Sequence, residues 1–435
     1  MPQKNALHQG TQPRAIARNP YDVIRQFWSA LGPGVITGAA DDDPSGIATY
    51  SIAGAQFGTA FLWTALLTWP LMAAVQTMCA RIGMVTGRGL MAALERKFPR
   101  RVLAAACLAL FFANTLNVGA DLSAMADAAE LLTGVTSHIW VVVMAAALVF
   151  GTIRLRYAAM ANTLKWLALV LFVYAVTAIH VGPQWMRVLR DTIVPSMPHG
   201  SAGWATLVAI LGTTISPYLF FWQASQEVEE EKALGRHSLT ARRGATSGEL
   251  TRRKFDVGAG TFFSNLAMFF IILTTAITLH AAGMHDVTTS RDVANALTPL
   301  AGRYAAVLYT VGILGTGALA IPTLAGSAAY AFAELFSWRE GMDLHFKGAP
   351  AFYAVIAVSI GAGVLLDFAN VSPIKALYWS AVLNGLLAPV LLVGIALVAS
   401  DKQLMNGQPS SMLGRTVVWA TAATMTVAAV AMFVL

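Results

Sequence analysis

Charge is what this sequence has least of. Asp, Glu, Lys and Arg make up 12% of its 435 residues, about half the share of an ordinary soluble domain, so the chain cannot cover a globular core with a charged skin. Cysteine is scarce as well. Cys79 and Cys107 stand alone in or beside apolar stretches, which excludes a disulfide framework and a thiolate metal site and leaves both as small buried hydrophobes. The first 27 residues, with Lys4, Arg14, Arg18 and Arg25, hold no apolar stretch, so they do not read as a signal peptide. No Walker or Rossmann glycine motif occurs, and Gly258 and Gly260 enter an apolar run with no strand before them. Apolar residues, at 57%, are what is abundant, and they exclude a disordered chain.

The apolar residues fall in eleven long runs, at 32–57, 59–83, 102–126, 138–153, 160–181, 203–228, 258–283, 304–335, 351–367, 373–399 and 416–435. Runs of this length match membrane spans. They are continuous rather than alternating, which predicts helices and not a barrel. With residues 1–30 as a cytoplasmic tail, 24 of the 29 Lys and Arg fall on the inner side of the eleven spans, the bias expected of cytoplasmic segments. Only Arg187, Arg190, Arg291, Arg303 and Lys375 fall outside. The formal charge of +7 is thus a topology signal and not a nucleic-acid patch. The C-terminus, after span 414–435, is expected outside. The polar stretch 229–257 is expected to be a mobile cytoplasmic loop.

Two spans are interrupted alike. The first carries Asp41-Asp42-Asp43-Pro44-Ser45-Gly46 inside its apolar run, and the sixth carries Thr213-Thr214-Ile215-Ser216-Pro217-Tyr218. Proline lacks the amide hydrogen and disfavours helix at the residue before it, so Pro44 and Pro217 predict helix breaks. A charge at mid-bilayer costs about 2.5–3.5 kcal/mol even on lenient scales, and three carboxylates would not be kept facing lipid. Asp43 is also placed to cap the helix that Pro44 begins. Breaks in the first and sixth spans predict two repeats of five spans, 31–182 and 203–399, with a midplane site between them.

These residues carry a resemblance. Asp43-Pro44-Ser45-Gly46 resembles the Asp-Pro-Gly-Asn signature of the natural resistance-associated macrophage protein (Nramp) family. Ser216-Pro217-Tyr218 is similar to that family's Met-Pro-His on helix six, and Ala320-Ile321-Pro322-Thr323-Leu324-Ala325-Gly326 to its helix-eight segment. The resemblance implies an all-α polytopic membrane protein with the leucine-transporter-type five-plus-five inverted repeat, discontinuous helices one and six, and divalent-metal transport by alternating access. It implies Asp43 as the central metal ligand, Gly46 at the family's Asn position, Ser216 at its Met position and the Thr213 carbonyl as the helix-six carbonyl ligand. Asp41, Asp42, Tyr218 and Gln223 would shape the approach or hold water, and Asn384 stands roughly where the family has a Gln on helix ten.

The departures from the family define the expected cargo. Residues 31–58 and 203–231 contain no Met, Cys or His. A site of carboxylate, hydroxyl, carbonyl and water oxygens suits Mg²⁺ or Mn²⁺ rather than softer metals, and a wide one suits a Mg²⁺ that keeps much of its water. The family's proton-coupling Asp and Glu on helix three correspond here to Asn114 and Asn117, and span nine has no Arg. Asn does not titrate, so weak or absent proton coupling is expected, as in the magnesium-transporting branch related to Nramp. Asp121, Asp127 and Glu130 are expected toward the outer end of the third span. No cofactor is expected; the expected partners are the divalent ion and the bilayer, and the expected placement is a bacterial inner membrane. The rivals are a proton-coupled Mn²⁺/Fe²⁺ carrier, a sodium-coupled organic solute carrier, and an intramembrane aspartyl protease pairing Asp43 with Asp121.

Overall fold

The computed structural model describes residues 33–154, 169–369 and 371–435; the expected tail 1–30 and the basic residues Arg156 and Lys165 lie outside them. Every described element is helical. The membrane-length helices follow the expected spans. The first span is split into α1 (Pro33–Asp41) and α2 (Pro44–Phe57); then come α3 (Leu62–Thr86), α4 (Arg100–Thr133), α5 (Ser137–Arg154) and α6 (Val173–Val181). The sixth span is split into α7 (Ser201–Thr214) and α8 (Pro217–Ala233), followed by α9 (Ser247–Thr275), α10 (Ala305–Phe336), α11 (Pro350–Asp367), α12 (Pro373–Ser400) and α13 (Met412–Val434). Among the described residues nine helical stretches are long and apolar enough to cross a membrane. One of them, Pro44–Thr86, joins α2 and α3, and the shorter Val170–Val181 is the described part of the fifth span.

Both breaks lie where proline placed them. α1 ends at Asp41 and α2 begins at Pro44 with Asp43 as its N-cap. α7 ends at Thr214 and α8 begins at Pro217. The stretch 229–257 differs from expectation. α8 runs on to Ala233 and α9 starts at Ser247, so only 234–246 connects them, with the short helix Leu239–Arg242 inside it. Hydropathy marks where apolar character ends, whereas these helices continue as charged, ion-paired turns: Lys232 pairs with Glu229 and Arg236 with Glu231 and Glu249. The Thr246–Glu249 capping box begins α9.

Two packing groups position the breaks. α1, α2, α3, α8 and α9 pack on one another, as do α4, α5, α10 and α11, while α12 lies against α4 and α7. The crossing of α1 with α9 depends on small residues spaced four apart. A Cβ on Gly38 would lie 2.5 Å from the Gly260 carbonyl, and one on Gly260 would lie 2.4 Å from the Gly34 carbonyl. Without a hydrophobic drive inside lipid, such close backbone approach is what joins the helices. Gly38→Val is therefore expected to cost about 1–3 kcal/mol and to lower the melting transition of the purified protein, whereas Val35→Ala, changing no glycine, leaves the crossing intact.

Candidate metal centre

Asp43 is buried beside the first break, and donors reach both of its carboxylate oxygens. Oδ1 accepts the Gly46 amide at 2.7 Å, the capping bond that starts α2; Oδ2 accepts Asn117 Nδ2 of α4 at 3.0 Å. A carboxylate has about four lone-pair positions, so both oxygens keep capacity for an ion. Asn117 is itself held in place, its Oδ1 accepting the Ser380 hydroxyl of α12 at 2.6 Å. Asn114, one turn earlier on the same face, donates instead to the Leu324 carbonyl and the Ser327 hydroxyl of α10, at 2.9 and 2.8 Å.

The second break lies across from Asp43. A Cβ added to Gly46 would stand 3.4 Å from Thr213 Oγ1 and 3.5 Å from Asp43 Oδ1, so Gly46 faces the gap between the two discontinuous helices. Ser45 Oγ is 3.4 Å from Thr213 Oγ1. Ser216 donates to the Gly212 and Thr213 carbonyls at 2.8 and 2.6 Å, closing off carbonyls that the end of α7 leaves free. The two predicted helix-six ligands are thus in contact with each other, and Ser216 Oγ keeps its lone pairs. Tyr218 ties the breaks together: its hydroxyl donates to the Ala40 carbonyl at 2.9 Å. Tyr50 lies 3.1 Å from Thr214 Oγ1.

Asp41 and Asp42 are buried rather than solvated. The Ser264 hydroxyl of α9 reaches both, at 2.6 Å to Asp41 Oδ2 and 3.0 Å to Asp42 Oδ1. Gln223 is buried, and its Oε1 has no hydrogen-bond partner. It lies one and a half turns beyond Pro217, and its Nε2 donates to Glu227 Oε1 at 2.7 Å, the next turn of the same helix. Asn384 is buried on α12 one turn from Ser380, its Oδ1 without a hydrogen-bond partner. Asp121 is the clearest correction. It is fully buried and close enough to Asp43 for the two charges to act on each other, not at the outer end of its span. α4 runs from Arg100 to Thr133, two residues before and seven residues beyond the apolar run 102–126, and this puts Asp121 about one turn from its middle. Serines such as Ser264 and Ser380 carry no signal that separates them from other helical serines, so sequence reasoning missed both.

Access differs at the two ends. Toward the C-terminal end of α8, Arg253 of α9 pairs with Glu227 at 2.7 Å, with Asp256 at 2.6 Å and with Glu230, and Asp256 Oδ2 accepts the Gly34 amide of α1 at 2.9 Å. Toward the opposite end, a cavity of about 750 Å³ is lined by Ile52 and Gln56 of α2, Ala205 of α7, Asp286, and Lys375 and Tyr378 of α12. Ile52 is about 12 Å of helix rise from Pro44. Among the described residues no three His, Cys, Asp or Glu side chains are gathered to chelate a metal; the two breaks bring together oxygen atoms of Asp43, Ser45, Thr213 and Ser216.

Known proteins resemble this chain in sequence and in fold. The chain is 27% identical over 312 residues to the divalent metal cation transporter MntH of Yersinia pestis (strain Pestoides F), covering 68% of this chain and 71% of that one. It is 25% identical over 351 residues to the divalent metal cation transporter MntH of Aeromonas hydrophila, covering 78% and 82%. The fold matches a manganese transporter of Eremococcus coleocola with a TM-score of 0.75 at 16% identity, over 95% of this chain and 88% of that one. The nucleobase-cation-symport-1 family transporter Mhp1 matches with a TM-score of 0.55 at 14% identity. The family model described as natural resistance-associated macrophage protein-like matches residues 34–435, and the chain belongs to the Nramp family.

Proposed function

We propose that the protein is a secondary transporter of divalent metal cations that prefers Mg²⁺, then Mn²⁺, and moves them with little or no proton coupling. Divalent-cation transport is the activity of the family, whose members are carriers and not enzymes; this closes the protease reading even though Asp43 and Asp121 are neighbours. No resident cofactor takes part, because the metal is the cargo. The observation that supports the Mg²⁺ preference is the set of oxygen donors on the two breaks: the Asp43 carboxylate, the Thr213 and Ser216 oxygens, and a glycine at position 46 in place of a side-chain ligand. Mg²⁺ dehydrates reluctantly and is held through one or two carboxylates with several waters retained. Asn114 and Asn117 support the absence of coupling, since each is a neutral amide that donates to a neighbouring helix or cap and neither carries a proton to release.

The two repeats are 31–182 and 203–399. The Lys and Arg bias supports a cytoplasmic N-terminus, an outer C-terminus and an inner bacterial membrane, with the Arg253 network then facing the cytoplasm. In that orientation the membrane potential drives uptake: a doubly charged ion gains about 4.6 kcal/mol across 100 mV, at about 2.3 per charge. The test is uptake by proteoliposomes loaded with a pH-reporting dye. Mg²⁺ entry that follows an imposed potential without acidification is the expected result. Acidification in step with metal entry would instead support the second reading, proton-coupled Mn²⁺ transport; the similar fold from Eremococcus coleocola is that of a manganese transporter.

Gly46→Asn tests the preference directly. The new side chain would meet Tyr50 Cε2 at 3.3 Å and Thr213 Oγ1 at 3.4 Å, contacts that small shifts relieve, and would add an amide oxygen to a narrower pocket. The Mn²⁺-over-Mg²⁺ affinity ratio is expected to rise by about tenfold, or about 1.4 kcal/mol, as read by competition calorimetry.

A further inference from the structure

We propose that Asp121 of α4 is the second carboxylate ligand of the transported ion, facing Asp43 across the pocket. This rests on the divalent-ion reading of the site and adds a ligand from a helix outside the two broken spans. Residues 114, 117 and 121 are spaced three and four apart, so they share one face of α4. The first two are committed inward, Asn114 to α10 and Asn117 to Asp43. Asp121 continues that face by one turn. It has no exposed surface, and neither of its oxygens finds a side-chain donor.

A carboxylate accepts hydrogen bonds and donates none, and a buried one requires compensation. The charged group that acts on Asp121 is not a cation but another carboxylate, Asp43; the Ser45 amide faces both. Tyr218, at the start of α8, is within electrostatic reach of Asp41, Asp43 and Asp121 together. The pocket thus presents two carboxylates from independent helices, with Asn117 orienting the first and the second left open. Two such groups balance one divalent ion and leave a monovalent ion short by one charge, which gives the pocket its selectivity for charge. Because α4 packs with α5, α10 and α11 while Asp43 belongs to the other packing group, an ion between the two carboxylates also joins the two groups of helices.

Calorimetry of the full-length protein in detergent, titrated with MgCl₂ and MnCl₂, tests this with Asp121→Asn, Asp121→Glu and Asp43→Asn. Asn keeps the shape of the side chain and removes its charge, so a structural role would survive it. Asp121→Asn is expected to weaken Mg²⁺ binding by about 10–100-fold and to shrink the Mg²⁺-induced rise in melting temperature, while Asp121→Glu stays within about tenfold of wild type. The pair Asp121→Gln and Asp121→Glu repeats the comparison with one more methylene, so the outcome does not hang on how Asp121→Asn folds. Unchanged affinity in Asp121→Asn, with binding lost in Asp43→Asn, overturns the role of Asp121 and leaves the site standing. Unchanged affinity in both variants overturns the site itself.

Discussion

Asp43→Asn is expected to abolish divalent-cation uptake by proteoliposomes while leaving the protein folded. Two roles meet at this residue, and the choice of Asn separates them. As an N-cap, Asp43 accepts the Gly46 amide and starts α2. Asn caps a helix about as well as Asp, whereas Ala costs about 0.5–2 kcal/mol; Asp43→Ala therefore confuses loss of the cap with loss of the ligand. The charge is the other role. Asp43 stands beside Asp41, Asp42 and Asp121, and removing one carboxylate from such a cluster relieves repulsion in the empty protein. Melting of ion-free Asp43→Asn should match or exceed wild type. The ligand-dependent gain should vanish: an ion at 100 times its Kd stabilises the wild type by about 2.7 kcal/mol, and the variant should show none. Transport at the wild-type rate by Asp43→Asn would refute the assignment of the site.

Much of this arrangement is legible in the sequence because proline and buried carboxylate act locally. Pro44 and Pro217 end helices through their own backbone, whatever surrounds them, and both breaks fall within two residues of where they were expected. Asp41, Asp42 and Asp43 announce a site because lipid would not tolerate them. What is not legible is where a helix sits along the membrane normal. The third apolar run covers 102–126, yet α4 spans Arg100–Thr133, and its extra turns move Asp121 from the rim to the centre. The same blindness made a loop of 229–257, since a charged helix and a charged loop share a composition. Asn117 shows a further limit. It reads as a lost proton carrier, but which atom its amide meets, Asp43 Oδ2, depends on tertiary packing alone. Gln223 reads as shaping the approach by its nearness to Pro217, but that its Nε2 donates to Glu227, one turn on, depends on how the side chains pack.

Glu227 leads to the second large effect. Arg253→Ala is expected to destabilise the protein by about 3–5 kcal/mol, the range for breaking a buried ion pair by removing one partner. Arg253 is little exposed and is the shared partner of Glu227, Glu230 and Asp256; without it, Glu227 remains buried without its cation. Arg253→Lys should not rescue it. A single ammonium lacks the planar fork that reaches carboxylates on α8 and α9 at once. The loss should also be felt at α1, whose Gly34 amide is held by Asp256. Loosening that contact frees the short helix that ends at Asp41, and with it the route from this end of the protein to Asp43. Thr37 is buried on α1, so a Thr37→Cys reporter, in a background where buried Cys79 and Cys107 are replaced by Ala, should react slowly with a hydrophilic maleimide. Adding Arg253→Ala should accelerate that labelling by tenfold or more, corresponding to a shift of about 1.4 kcal/mol in the opening equilibrium, and Mg²⁺ uptake should become slow or uncoupled from the potential. Equal labelling rates with and without Arg253 would mean that the ion-pair network steadies the helices without closing the pathway.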